Sequence, residues 1–347
     1  MRTILYGVAG EGNGHYARSK IVIDELKKTS KVELFSHGQG YKNLKKHFPV
    51  NRILGFHMYY INNTVSSALT GLINTLKSPF MLFASLKYIP AFLKHKPDLV
   101  ITDFEPFILY WSKLFNVPCI SIDNQHIITN TSIDKINRQF INEFYSKAVI
   151  HLFLPNPAQT LITTFFNSEI KCKNTKLLPP LIKPSIIKLK PKKKQHIFVY
   201  QTSKSYKRMF PVLKKINKEF IIYGFNKEAK DKNLTFKKFN NDQYLEDLAV
   251  ADAVIINGGF TLLTESLYLQ KPIFSIPIKR QFEQIVNGHY INKLNYGVAV
   301  RDITVENFND FLKNKEKYRK NIKKIKWDKN KEFFDELNKL LHSQSLK

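Results

Sequence analysis

The feature that most constrains this chain is an alternation that runs, stops and starts again. Short β-rich segments at residues 3–8, 32–36, 98–102 and 118–122 are interleaved with helical spacing at 17–28 and 107–115. The pattern resumes with strands expected at 196–200, 220–223, 253–257 and 272–276, and helices at 211–216, 244–251, 261–268 and 282–294. Residues from 306 onward read as helical and lysine-rich. Strands that alternate with helices imply a parallel sheet wrapped on both faces. Between the two runs lies 177–194, with Pro179, Pro180, Pro184, Pro191 and many lysines, which predicts an extended connection. The expected organisation is two α/β domains, 1–178 and 195–347, joined by a linker at 179–194, with the last helix free to pack back on the first domain. A length of 347 residues suits two domains of about 150 residues each.

Charge narrows the partners. Against 28 acidic side chains stand 55 basic ones, a net +27, which favours anionic ligands. Much of the excess sits at 171–194 and 313–331. Hydrophobic residues make up 43%, which excludes a disordered chain. Cys119 and Cys172 alone exclude a disulfide scaffold and a multi-cysteine zinc site. The uncharged stretch between Arg52 and Lys77 is too polar to span a membrane, and no signal peptide precedes the first strand. A cytoplasmic protein is expected.

Glycine is scarce and concentrated. Of 13 glycines, Gly7, Gly10, Gly12 and Gly14 crowd the end of the first strand, and Gly258 and Gly259 follow a later one. In an open α/β sheet, ligands bind at such strand ends. The first loop is neither Gly-x-Gly-x-x-Gly nor a Walker A motif, but free amides at the following helix start suit an anion, with Arg18 near. His15 falls at that helix N-terminus, where the dipole favours the neutral imidazole a general base requires. In the second half, Thr261 and Thr264 add hydroxyls to a nest of amides suited to a diphosphate. Glu265 follows one turn later, where a carboxylate accepts both hydroxyls of a ribose. Glu283, Gln284 and Asn287 open the next helix and suit sugar hydroxyls.

The run Gly258-Gly259 to Glu265, then Lys271-Pro272, Pro277 and Glu283-Gln284-x-x-Asn287, resembles the donor half of GT-B glycosyltransferases, closest to the MurG-like group. Gly10–Arg18 is similar to that group's first glycine loop, and residues 103–106 and 122–126 resemble segments of a bacterial and archaeal subgroup. The resemblance covers most of the chain. It implies two Rossmann-like domains whose parallel sheets face each other across a cleft, with a nucleotide-sugar on the C-terminal one. Gly258, Gly259, Thr261 and Leu262 would lie near base and diphosphate, Glu265 at the ribose, and Glu283 and Gln284 at the sugar. MurG-like enzymes carry Gln-Gln at that last pair, so the resemblance does not carry N-acetylglucosamine over as the donor sugar. The family needs no obligatory metal, and no Asp-x-Asp suited to a metal–diphosphate is present. Lys204, Lys207 and Arg208 are candidates to neutralise the leaving UDP.

Candidate bases on the acceptor side are His15, Asp103, Glu105 and His126, each at or beyond a strand end. The stretch 79–93 is apolar, with Leu82, Leu86, Ile89 and Leu93 on one helical face, read as core. Phe80, Met81, Phe83 and Phe92 exceed that stripe, and Lys77, Lys87, Lys94 and Lys96 flank it, an arrangement that docks on anionic membrane. The leading expectation is an inverting, metal-independent transferase, without cofactor, moving sugar from a UDP-sugar to a lipid-linked or cell-envelope glycan on the inner face of the cytoplasmic membrane. A nucleotide-sugar epimerase or hydrolase on the same fold is the enzymatic alternative. A basic nucleic-acid-binding protein is the non-enzymatic one, although no such motif is present and no nucleic-acid partner is expected.

Overall fold

A computed structural model describes residues 1–61, 64–192, 195–201 and 206–343. The chain divides into two compact units: Met1–Tyr59 with Ser66–Leu181 and Asp328–Lys347, and Tyr60–Val65 with Ile182–Trp327. The first unit begins β1 (Arg2–Val8), α1 (Gly14–Leu26), β2 (Ser30–Ser36), α2 (Gly38–Leu44), β3 (Asn51–Arg52). A short hairpin, β4 (Tyr60–Ile61) and β5 (Thr64–Val65), groups with the second unit. The first unit continues with α3 (Ser67–Ser85), α4 (Tyr88–His95), β6 (Leu99–Asp103), α5 (Pro106–Leu114), β7 (Cys119–Asp123), α6 (Ile127–Asn130), α7 (Phe140–Phe153), β8 (Gln159–Thr163) and β9 (Thr175–Leu178).

Its sheet runs β3-β2-β1-β6-β7-β8-β9, with every pair parallel. β1 is central because Ile4 to Val8 are buried on both faces, as a parallel sheet requires. The chain leaves β1 towards β2 on one side and returns as β6 on the other. Strand order therefore reverses between β1 and β6, which fixes the ligand-binding end of this sheet.

The second unit comprises α8 (Pro184–Ile187), β10 (Ile197–Tyr200), α9 (Met209–Leu213), β11 (Phe220–Tyr223), β12 (Ala229–Asp231), β13 (Leu234–Phe236), α10 (Asn241–Val250), β14 (Ala253–Ile256), α11 (Phe260–Tyr268), β15 (Ile273–Ser275), α12 (Phe282–Lys293), β16 (Gly297–Ala299) and α13 (Val305–Ile322). Its order is β12-β13-β11-β10-β14-β15-β16, parallel but for β12, and it reverses between β10 and β14. The last helix, α14 (Lys331–His342), belongs to the first unit. It buries Phe333, Leu337, Leu340 and Leu341 in the core that includes Ile4 and Ile101.

Two local expectations are corrected. The described part of the expected linker, 179–192, is not extended throughout: Ile182 and Ile186 are buried and α8 forms there. Lys271, itself buried, donates to the carbonyls of Lys192, Ala249 and Ala251 at 2.6–2.8 Å, fastening this stretch to the second unit. The stripe of Leu82, Leu86 and Leu93 does not face the core as expected. Met81, Tyr88, Ala91 and Phe92 face the core, while Leu82, Leu86 and Leu93 are exposed along with Phe80 and Phe83. Two helices, α3 and α4, replace the single helix that one face implied, so the phase changes between them.

Candidate functional site

The reversal in the first sheet brings together the ends of β1 and β6, where Val8 pairs with Asp103. The loop leaving β1 stays close to β6, as Ala9 N–H donates to the Asp103 carbonyl at 2.9 Å. At Gly10 a Cβ would lie 2.4 Å from the His37 carbonyl oxygen, so a side chain there collides with backbone. Gly12 has φ +67°, and Gly14 opens α1. This path delivers His15 to the first turn of α1. Its Nδ1 lies 2.6 Å from Asp103 Oδ1.

Asp103 is fully buried and fully engaged. Arg18 grips both carboxylate oxygens, Nε to Oδ2 at 3.0 Å and Nη2 to Oδ1 at 2.5 Å, and Ser19 Oγ donates to Oδ2 at 2.8 Å. Burial pushes this carboxyl up, but Arg18 and His15 overcome it and hold Asp103 below the usual carboxylate range. An ionised Asp103 only accepts, so it holds the proton of His15 on Nδ1 and leaves Nε2 as the basic nitrogen. Phe104, next in the chain, takes φ +56° and sets its ring 6.0 Å from the imidazole.

Several sequence candidates are corrected by this geometry. Asp103 is a partner of His15, with no lone pair free for an acceptor proton. Arg18 is buried, and its remaining Nη1 donates to Asn124 Oδ1 at 2.8 Å, so it is not available to a phosphate. Glu105 is the N-cap of α5: Oε1 accepts from Phe107 N–H, and Oε2 accepts from Ile108 N–H and from Tyr88 Oη. It is completely buried, and burial raises its pKa to about 7. His126 is 3% exposed and its Nδ1 is bound to Asp123 Oδ2 at 2.6 Å, a closed pair within one loop. Neither reaches solvent as a base must. His37, by contrast, is a site residue the sequence reading missed. It supports Gly10, its Nε2 lying 3.2 Å from the Gly10 nitrogen, and burial lowers its pKa to about 4. Its only signal in sequence is its place just past a strand end.

In the second unit, Gly258 follows β14 with φ +86°, where a Cβ would meet Ser275 Oγ at 2.9 Å. Gly259 is the N-cap of α11, so the amides of the first turn, around Thr261 and Leu262, are free of intrahelical partners. Thr264 spends its hydroxyl on the Thr261 carbonyl at 3.0 Å, which removes it as a phosphate donor. Glu265 is 2% exposed, with Lys183 Nζ 3.0 Å from its Oε1. Gln284 Oε1 accepts from Ile278 N–H at 2.9 Å, and Asn287 Nδ2 donates to the Gly258 carbonyl at 3.0 Å. These two amides therefore shape the backbone of the loop. Glu283 lies half-buried in the first turn of α12. Lys204 lies outside the described residues, while Lys207 and Arg208 are exposed just before α9. The sheet reversal itself is marked by a pair the sequence did not single out, Asn257 Nδ2 to Gln201 Oε1 at 2.8 Å.

Two Rossmann-like sheets, parallel but for β12, each with a glycine-rich strand end at its point of reversal, are those of the GT-B fold. The chain belongs to glycosyl transferase family 1, whose model matches residues 2–315. The fold is similar to that of CalG4, the calicheamicin glycosyltransferase (TM-score 0.67, 14% identity, 99% of each chain covered). It is similar also to MurG of Acinetobacter baumannii (TM-score 0.60, 15% identity, 98% of this chain and 100% of that one). A third similar structure is the glycosyltransferase VinC in complex with DTDP (TM-score 0.64, 11% identity, 98% of each chain). No curated protein matches the chain in sequence.

Proposed function

We propose that this glycosyltransferase is an inverting, metal-independent enzyme that moves a sugar from a UDP-sugar to a lipid-linked or cell-envelope glycan acceptor. The observation that carries the reading is His15, held by Asp103 in the tautomer that leaves Nε2 basic. In an inverting transfer one base takes the acceptor's hydroxyl proton as that oxygen attacks the anomeric carbon and UDP departs. His15 fills that role, and Asp103 stabilises the imidazolium as it forms.

The donor falls to the second unit. The first-turn amides of Thr261 and Leu262 in α11, which follow Gly258 and Gly259, suit a diphosphate. Glu265 takes the ribose hydroxyls from its pair with Lys183, and Glu283 faces the sugar. Gln284 and Asn287 serve the donor through the loop they fasten. Positive helix ends and basic side chains, with no metal, balance the leaving diphosphate.

A lipid-linked acceptor is supported by an apolar surface on the first unit. Phe80 and Phe83 on α3 are 71% and 76% exposed, and Phe140 and Phe144 on α7 are 79% and 63% exposed. Tyr110 of α5 donates to the Leu152 carbonyl of α7, and Trp111 of α5 to Ser85 Oγ of α3, so α5 joins the two faces. Exposed Lys77, Lys87 and Lys94 flank them. So large an apolar area on a chain of net +27 suits an anionic bilayer surface. Among the described residues no helix is long and apolar enough to cross a membrane.

The test is thermal unfolding with UDP, GDP, CDP and dTDP, each with and without EDTA. A ligand at 100 times its Kd stabilises the folded state by about 2.7 kcal/mol. The reading predicts a shift with UDP that survives EDTA and is lost in Glu265→Ala. A shift that EDTA abolishes overturns metal independence, and no shift with any nucleotide overturns the donor site.

A further inference from the structure

We propose that Arg18 is a positioning residue for His15, setting both its orientation and its charge by sharing one carboxylate oxygen with it. This rests on the reading of His15 as the base. Asp103 Oδ1 receives His15 Nδ1 at 2.6 Å and Arg18 Nη2 at 2.5 Å, and that Nη2 lies 3.3 Å from His15 Nδ1. The three groups form a compact cation–anion–imidazole array.

A buried carboxylate alone would hold its histidine as the imidazolium, which accepts no proton. The guanidinium on the same oxygen offsets that pull, because it draws on the same negative charge. The fork also fixes geometry. With Nε on Oδ2 and Nη2 on Oδ1, Asp103 cannot rotate away from His15, and Nη1 on Asn124 Oδ1 pins the fork in turn. His15 and Arg18 are three residues apart on α1, so one helical turn places both over the end of β6.

The other ionisable groups around this array do not replace Arg18. Tyr6 on β1 is buried, and burial keeps its hydroxyl protonated. His37, beyond β2, is held neutral by burial. Asp123 on β7 is taken by His126, Glu105 caps α5, and Glu11 on the glycine loop pairs with His57.

The test is an NMR titration of the full chain with isotope-labelled histidine, the His15 signals being assigned by their loss in His15→Gln. It needs no substrate. Arg18→Met is expected to move the His15 midpoint up by about one pH unit or more, because Asp103 then acts unopposed. Asp103→Asn is expected to move it down, and Arg18→Lys to return it close to the wild-type value. A folded Arg18→Met chain whose His15 titrates as in the wild type overturns the proposal. Should Arg18→Met not fold, an unmoved midpoint in Asp103→Asn overturns it equally. Turnover of His15→Gln separates the two readings: lost turnover with unmoved midpoints keeps the base and removes the role of Arg18.

Discussion

Glu105 gives this structure a pH-dependent stability whose sign is opposite to that of the ion-paired Asp103 and Asp123. Its side chain caps α5 while wholly buried, and its pKa rises from 4.5 to about 7, desolvation exceeding the help of Ile108 N–H, Tyr88 Oη and Phe107 N–H. Between those two values the folded chain keeps a proton that the unfolded chain has released. Stability therefore falls as pH rises through this window and levels off above the folded value. The interval of about two and a half pH units corresponds to about 3 kcal/mol. Asp103 and Asp123 are shifted the other way, so their contribution is present above the ordinary carboxylate range and is lost as pH falls through it. The comparison of wild type with Glu105→Gln cancels them. Gln keeps the volume, retains one acceptor for the cap and never ionises. Urea unfolding of both chains, followed through the transition of the first unit from pH 5 to pH 8, yields the difference at each pH. Wild type should lose stability relative to Glu105→Gln by about 1.4 kcal/mol per unit in the middle of the window. A difference that is flat, or that grows in favour of wild type with rising pH, would refute the assignment of Glu105 as a carboxyl kept protonated by burial.

Other substitutions test separate parts of the structure. Gly258→Ala must hold φ near +86° beside Ser275, at a cost of about 1–2 kcal/mol, and should weaken UDP binding measured by calorimetry more than it lowers the melting temperature. Phe333→Ala should destabilise the first unit by about 3–5 kcal/mol in urea unfolding, since α14 inserts that ring fully into the core. Phe83→Ser with Phe144→Ser should reduce co-sedimentation with phosphatidylglycerol vesicles at low salt and leave UDP binding unchanged. Undiminished sedimentation would remove the apolar surface from the account.

The central strands were readable because a buried parallel strand is a short apolar run with punctuation at both ends; the expectation for 220–223 coincides with β11. The edges were not. β3 and β16 are two and three residues long, too short to carry a pattern. α7 escaped notice because its large side chains, Phe140, Ile141, Phe144 and Tyr145, point to solvent and draw no core-facing stripe. In the first site, the glycines announced His15, and the strand end announced Asp103. Their division of labour was hidden, because Arg18 and Asp103 are 85 residues apart and only the sheet reversal joins them. Glu105, two residues on from Asp103, looked equivalent in sequence and differs only by capping a helix that Pro106 starts. Gln201 and Asn257, 56 residues apart, meet at the second reversal for the same topological reason.

The central claim is that His15 takes the acceptor's proton during transfer from a UDP-sugar. The direct measurement is UDP release from UDP-glucose, UDP-galactose and UDP-N-acetylglucosamine, with isolated bacterial membranes as the source of acceptor, for wild type and His15→Gln. The account predicts membrane-dependent release by wild type with one of these donors, at least about 100-fold slower release by His15→Gln, and equal affinity of both chains for UDP. Equal release rates for the two chains would contradict it.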